Sequence, residues 1–294
     1  MHTLNWDDLR LFLAIARAGR LTRAGKALGL DHTTVARRLT SLESAIGSRL
    51  VERGPRGITL TSAGATIFAH AERVEVEILS ASSQVAEEDA RVSGSVRLAT
   101  PEAFGTYLVA PHIARLHAAH PDLHLELIPE SQYVNLSNRE ADIAILLNRP
   151  ANGPVVARKL VDYRLGLFTS HSYSQAHGPI TAETLSDHPF AWYIDELIDL
   201  PELRFLREIS ADARTMFRSS STAAQHEAVA GGLGIGILHG FAADADPRLL
   251  RILPDIEIRR SYWLAFHANQ QRLPRIRAVI AFLDDLIADR RDCF

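Results

Sequence analysis

The chain has 294 residues, 47% hydrophobic and 23% charged, which places it with ordinary soluble globular proteins of two or three domains. Met1 precedes a polar, acidic segment, no window approaches the ~18 apolar residues of a membrane span, and Cys293 is the sole cysteine; a cytoplasmic address is expected, with no membrane partner, disulfide framework or thiolate metal cage. The net charge of −3 is uneven: residues 1–61 hold ten Lys/Arg against five acids, net +5, and the remainder holds 22 against 30, net −8, a small basic unit attached to a larger acidic one.

In chain order, Asn5 can cap a helix with Asp7 and Asp8 in its first turn and Trp6, Leu9, Phe12, Leu13 and Ala16 along an apolar face, ended by Gly19. A second short helix fits Thr22 to Leu28, with Ala24, Ala27 and Leu28 inward and a tight connection at Gly29 and Leu30. Asp31 caps a third, whose stripe Val35, Leu39, Leu42 and Ile46 leaves His32, Thr33, Thr34, Arg37, Arg38 and Ser41 largely outside the core. A short turn followed by a helix buried on one side and basic on the other is a helix-turn-helix pattern. From Leu50 to Thr61, two extended segments flank the turn Gly54, Pro55, Arg56 and Gly57; this wing points Arg53 and Arg56 at phosphates or a minor groove.

The ordered run LTRAGKALGLDHTTVARRLTSLESAIGSRLVERGPRGITLTSAG resembles the DNA-binding domain of the LysR-type transcriptional regulators. Ala36 stands where that family usually has serine, His32 where glutamine is common, and Val51 replaces a phenylalanine. The resemblance implies double-stranded operator DNA as partner, with His32, Thr33 and Arg37 at base edges, and Thr34, Arg38 and Arg53 on the backbone or minor groove; Arg23 and Arg56 complete the DNA-facing set.

A linker helix follows, over 62–90 as a domain and from Ser62 to about Asp89 as a helix, with Ile67, Ala71, Val74, Ile78, Ala81 and Val85 in heptad spacing. Pairing with a second copy is the economical reading of that seam, and pairing with the chain's own sensor domain is the alternative. In the family, dimers pair again into tetramers, and RNA polymerase is a further partner.

Residues 91–294 alternate strands and helices after a hinge at Arg91 to Gly94: strands Ser95–Ala99, Leu123–Pro129, Asp142–Leu146, Leu165–Thr169, Ala191–Ile194, Thr215–Arg218, Ile235–Leu238 and Tyr262–Phe266, and helices Pro101–His120, Ser221–Ala230 and Pro274–Asp289. A parallel α/β sheet is implied, the last helix returning to the first lobe. The phrases TPEAFG, HPDLHLELI, NREADIAILLNRP, AVAGGLGIGIL and YWLAFH resemble the effector domain of the same family, a two-lobed fold of periplasmic-binding-protein type II, with lobe I about 91–162 and 268–294 and lobe II about 163–267. Ligands of such folds lie where strand ends meet helix N-termini. Thr100 reads either as the cap of the next helix or as an effector contact. Ser219 to Thr222 offer hydroxyls and free amides to an anion or serve only as cap and loop. The resemblance adds Ser131, Asn148 and His226 to Thr100, Ser220 and Thr222, for a small polar or anionic metabolite.

Other chemistry is poorly served. GGLGIG places Ile237 where a dinucleotide fingerprint needs its third glycine, so a tight turn is expected. His112, His117, His120 and His124 lack metal-site spacing, and no nucleophile elbow, P-loop or catalytic cysteine context occurs. No catalytic residue, cofactor or metal is expected. A solute-binding protein of the C-terminal fold, and an enzyme carrying a helix-turn-helix, are the competing classes.

Overall fold

The computed structural model describes residues 4–54, 57–85, 92–129, 141–150, 155–197, 206–210 and 212–294. Two compact units divide the chain, Met1–Ala90 with Arg272–Pro274, and Arg91–Gln271 with Arg275–Phe294. No helix among the described residues is long and apolar enough to cross a membrane.

In the first unit α1 (Trp6–Ala18) starts at Asn5, whose side chain accepts from the Asp7 amide at 3.0 Å, and stops at left-handed Gly19. Its buried face is Leu11, Phe12, Leu13 and Ile15; Trp6, Leu9 and Ala16, expected inside, are only half-buried. The second helix, α2 (Leu21–Leu28), buries Ala24 and Gly25 and leaves Ala27 exposed, contrary to the expected pattern. The reason is close approach: a Cβ on Gly25 would stand 2.6 Å from the Leu30 carbonyl, so α2 presses its Gly25 face, not its Ala27 face, onto the turn. Then α3 (His32–Ile46) buries Val35, Leu39 and Leu42, with Ile46 partly buried against the same core, as its spacing predicts. The wing is a two-stranded antiparallel ribbon of β1 (Val51–Gly54) and β2 (Gly57–Leu60). It is tied down by the Ile58 amide donating to the Gly19 carbonyl at 2.8 Å and the Leu50 amide donating to Glu43 Oε1 at 2.7 Å.

The linker helix α4 (Ser62–Val85) begins under Thr61, whose hydroxyl accepts from the Gly64 amide at 2.9 Å. Its predicted seam divides into two stretches. Ile67 packs on the core of the same unit and Ala71 is buried, while Phe68 meets Phe12 edge to face at 6.4 Å. Farther along, Val74 and Ile78 are 40% and 38% exposed. The expected seam members Ala81 and Val85 have side chains outside the described ones, and residues 86–89 lie outside the described residues altogether.

The second unit holds one eight-stranded sheet in the order β4-β3-β5-β10-β6-β9-β7-β8. Its elements are β3 (Gly94–Thr100), α5 (Glu102–Phe104), α6 (Ile113–Ala119), β4 (Leu123–Pro129), β5 (Ile143–Leu146), β6 (Val155–Ser170), α7 (His171–His177), β7 (Pro189–Trp192), α8 (Leu206–Ile209), β8 (Arg214–Arg218), α9 (Thr222–Ala230), β9 (Ile235–His239), α10 (Gly240–Ala243), β10 (Leu249–His267) and α11 (Pro274–Asp289). The sheet is mixed where an all-parallel one was expected. Pairings β3·β4, β3·β5, β7·β8 and β7·β9 are parallel, but β10 runs antiparallel to β5 and β6, and β6 antiparallel to β9. The two long strands pair from Leu249↔Ser170 to His267↔Val155 and join the β3–β4–β5 half to the β7–β8–β9 half. Their polar middles, such as Arg259↔Arg164, break the apolar run that marks a buried strand, so only their Leu165–Thr169 and Tyr262–Phe266 ends stood out in the sequence.

The helix expected over 101–120 is a composite in which α5 passes into a π turn (Gly105–Val109), a 3₁₀ turn (Ala110–His112) and α6. Pro111 lacks an N–H, which accounts for the loosened ladder there. The last helix, α11, pairs through Asp289 with Arg115 of α6 at 2.7 Å and through Asp284 with Arg158 of β6 at 2.5 Å. At GGLGIG the chain makes a tight turn. Gly234 has φ +149°, and a Cβ there would stand 2.2 Å from the Pro189 carbonyl, so the glycine serves packing.

Candidate DNA interface and effector cleft

The sequence of α3 sets its own N-terminus. Asp31 accepts from the amides of Thr33 and Thr34, each at 2.9 Å, and from both hydroxyls, that of Thr34 at 2.8 Å. The Thr33 hydroxyl first, then the Thr34 amide and hydroxyl, hold the Asp31 carboxyl far below the usual carboxylate range. Both threonine hydroxyls therefore serve the cap in this structure.

His32, Thr33 and Arg37 are exposed, with Thr33 and Arg37 one turn apart on the same face. Among the described residues the side chains of His32, Arg37, Arg23 and Arg53 make no hydrogen bond or ion pair, and all four residues are exposed. Arg38 differs. Its Nε and Nη2 donate to Asp8 Oδ1 at 3.0 and 2.5 Å, which fixes it against α1. Arg56 lies outside the described residues. Arg17, not singled out in the sequence, donates to Glu75 at 3.1 and 2.5 Å and lies 3.5 Å from buried Glu72, locking α4 onto α1.

In the second unit Thr100 is the last residue of β3, paired with Pro129, and is 2% exposed. It is not the helix cap. Pro101 takes that position, and no side chain caps α5. The Thr100 hydroxyl has no hydrogen-bond partner among the described residues. Ser131 lies outside the described residues, Asn148 is half-buried just beyond β5, and Ser220 is exposed.

The start of α9 already holds an anion. Glu102 of α5 accepts from Ser221 Oγ at 2.7 Å, from the Thr222 amide at 2.5 Å and from Thr222 Oγ1 at 2.9 Å. His226, one turn into α9 and 4% exposed, bonds through Nε2 to Asp246 Oδ2 at 2.9 Å and packs its ring 5.1 Å from that of Tyr107 on the π turn. Tyr107, Thr222, Gln225, His226, His239 and Ala242 line a small recess there. Burial first, then the charges of Glu227 and Glu102, pushes the Tyr107 phenol up to about 12, and burial drives His239 down to about 3, so the recess presents a neutral phenol and a neutral imidazole at pH 7.

The structure thus brings Thr222 and His226 together, with Thr100 at the root of α5. Sequence reasoning missed Glu102, Tyr107 and Asp246; the acid directly after Thr100–Pro101 was the one local signal. For a metal, His226, Glu227 and Asp246 offer ligand atoms within 4.8 Å of one another. Arg248 already bonds both carboxylates, at 2.8 Å to Glu227 and 2.7 Å to Asp246, so the positive charge they need is supplied. His112 is engaged by the Leu108 carbonyl at 2.8 Å and by Arg290 at 3.2 Å.

The profile described as the bacterial regulatory helix-turn-helix protein, lysR family, matches residues 6–65, and that of the LysR substrate binding domain matches residues 89–288. A transcriptional regulator of Xanthomonas campestris is 33% identical over 188 residues, 64% of this chain and 54% of that protein. The mau operon transcriptional activator of Paracoccus denitrificans is 29% identical over 297 residues, 97% of this chain and 98% of that one. Among solved structures, full-length OxyR from Pseudomonas aeruginosa has a TM-score of 0.72 at 20% identity, covering 98% of this chain and 96% of that one. CrgA, a LysR-type regulator from Neisseria meningitidis, has a TM-score of 0.58 at 23% identity, covering 96% and 99%. At these identities the two structures speak for the fold.

Proposed function

Because the chain belongs to the LysR family of transcriptional regulators, which bind DNA and a small-molecule effector, we propose a division of labour among its parts. Residues 1–61 read a two-fold symmetric operator through α3, with His32, Thr33 and Arg37 at base edges in the major groove and Thr34, Arg23, Arg38, Arg53 and Arg56 toward backbone or minor groove. Arg38, buttressed by Asp8, is a pre-set phosphate contact. Residues 62–90 pair two chains, and a homodimer pairs again as a tetramer. Residues 91–294 hold a small polar or anionic effector between lobe I (91–162 and 268–294) and lobe II (163–267), at Thr100, Ser131, Asn148, Ser220, Thr222 and His226. The chain works in the cytoplasm, with RNA polymerase as a further partner.

The observation that carries this reading is the exposed, unpaired donor set of His32 and Arg37 on a capped helix whose other face is core. The exposed Val74 and Ile78 support pairing through the far part of α4. Footprinting on the flanking intergenic DNA, with and without candidate metabolites, tests it. Protection of two half-sites about one helical turn apart or further is expected, and uniform protection of any duplex speaks against it.

A further inference from the structure

Three parts of the first unit are fastened to α1. Near its start Asp8 holds Arg38 of α3. Just past its end the Gly19 carbonyl accepts from the Ile58 amide of the wing, and a Cβ on Gly57 would stand 2.7 Å from that same oxygen. Arg17, in the last turn, holds α4: Nη1 and Nη2 donate to Glu75 Oε1 and Oε2 at 3.1 and 2.5 Å, and Nη2 lies 3.5 Å from Glu72 Oε1. Reading helix, wing and linker helix are therefore all set along one spine.

An ion-pair joint is a costly way to hold two helices together. Glu72 is 4% exposed, and a carboxylate taken out of water is repaid only by well-placed partners, where apolar side chains of similar volume stabilise as well or better. What a guanidinium fork adds is direction, because its paired N–H groups meet a carboxylate in one plane. Beside the fork Phe68 meets Phe12 edge to face. At its start α4 lies so close to the chain entering the wing that a Cβ on Gly64 would be 1.9 Å from the Leu50 carbonyl oxygen. Contacts from Gly64 to Glu75 span about three turns of α4, which leaves it little freedom to roll or tilt on α1.

Phe68, Glu72 and Glu75 are spaced by four and three residues and so share one stripe of α4. Val74 and Ile78, exposed, occupy another stripe, about 100° round the helix. The joint thus fixes the heading of α3 relative to the exposed seam. We propose that Arg17, acting through Glu72 and Glu75, is a positioning residue that sets which half-site separation the dimer accepts. This rests on the reading that the seam pairs two chains and that α3 meets DNA. Half-sites one turn apart put each reading helix about 17 Å from the two-fold axis, and a swing of about 11° on an arm of that length moves it about 3.4 Å, one base-pair step. With the fork intact the dimer selects one separation; with the fork loosened the same two helices reach neighbouring ones.

The experiment is selection from a random-sequence duplex library by the full-length chain, wild type and Arg17→Ala, followed by anisotropy titration of the enriched duplex with its spacer changed by one or two base pairs. Wild type is expected to enrich one separation and to lose about tenfold in affinity for each base pair added or removed, because the DNA must then be bent or twisted into register. Arg17→Ala should enrich the same half-site sequence at several separations, with a loss of about threefold or less per base pair. A variant that discriminates spacers as sharply as wild type, or that weakens equally on every spacer, overturns the proposal, the second result marking a merely structural role. Should Arg17→Ala not fold, the double variant Arg17→Leu, Glu72→Leu replaces the buried pair with apolar side chains and is read by the same two criteria. A duplex with a single half-site reads base recognition separately. Wild type and variant binding it equally, with unchanged spacer discrimination, removes only the positioning role, whereas a wild-type selection that yields lone half-sites removes the two-fold reading and the positioning role together.

Discussion

The outward face of α3 and the cleft of the second unit treat charge differently. On α3 the cations that face outward, Arg37 above all, have no acid beside them, whereas in the second unit Arg248, Arg251 and Arg164 are each paired within the same fold. A surface that leaves its arginines unpaired is prepared for an external anion, and a polyanion such as DNA repays the desolvation of many at once. A cleft that pairs its charges internally asks its ligand to compete. The same physics of a helix start appears in both places: Asp31 fills that of α3 from the adjoining residue, and Glu102 fills that of α9 from 120 residues away.

The contrast can be broken at its foundation. Leu39→Ala removes a fully buried side chain beneath the reading face and should cost the first unit about 3 kcal/mol, seen as a lower unfolding midpoint that leaves the second unit's transition in place. Arg37→Ala should lower affinity for the specific operator roughly 10–100-fold while changing non-specific affinity little; a matched loss on both would make Arg37 a phosphate contact.

Acid sharpens the comparison further. Arg248 first, then the His226 hydrogen bond, holds the Asp246 carboxyl well below its usual range, so its stabilising contribution is present above an ordinary carboxylate pKa and is lost as pH falls through its depressed folded value. Asp246→Asn should therefore flatten the loss of stability of the second unit below about pH 4, measured as unfolding midpoint against pH. The smallest effect is expected from Asp8→Asn. Its pair with Arg38 is about 30% exposed on both sides, so stability should change by about 0.5 kcal/mol or less, while operator affinity falls if Asp8 pre-sets Arg38.

Legibility in the sequence followed how local each cause is. Asn5, Asp31, Gly19 and Gly29 act within a turn of themselves, and the first three helices could be read with their caps. The stripe of α3 was readable because one face meets one core. The seam of α4 was over-read, since Ile67 and Ala71 share the heptad period with Val74 and Ile78 but are taken up by the unit's own core. In the second unit the antiparallel pairing of β6 and β10 depends on partners about a hundred residues apart, which periodicity does not record. Thr100 looked like a cap because threonine before proline is good local chemistry; the strand pairing with Pro129 claims it instead. Glu102 carried only the local signal of an acid after Thr100–Pro101, and nothing near it in the chain reveals its partners Ser221 and Thr222.

The most direct measurement is the salt dependence of operator-duplex affinity for the wild type and for Arg37→Glu, followed by fluorescence anisotropy. The wild type should lose affinity linearly in log–log form, with a slope of about −0.9 per phosphate neutralised, and the charge reversal should remove specific binding at every salt concentration. A flat salt response, or a reversed-charge variant that binds as the wild type does, would contradict the assignment of the α3 surface as the face that meets DNA.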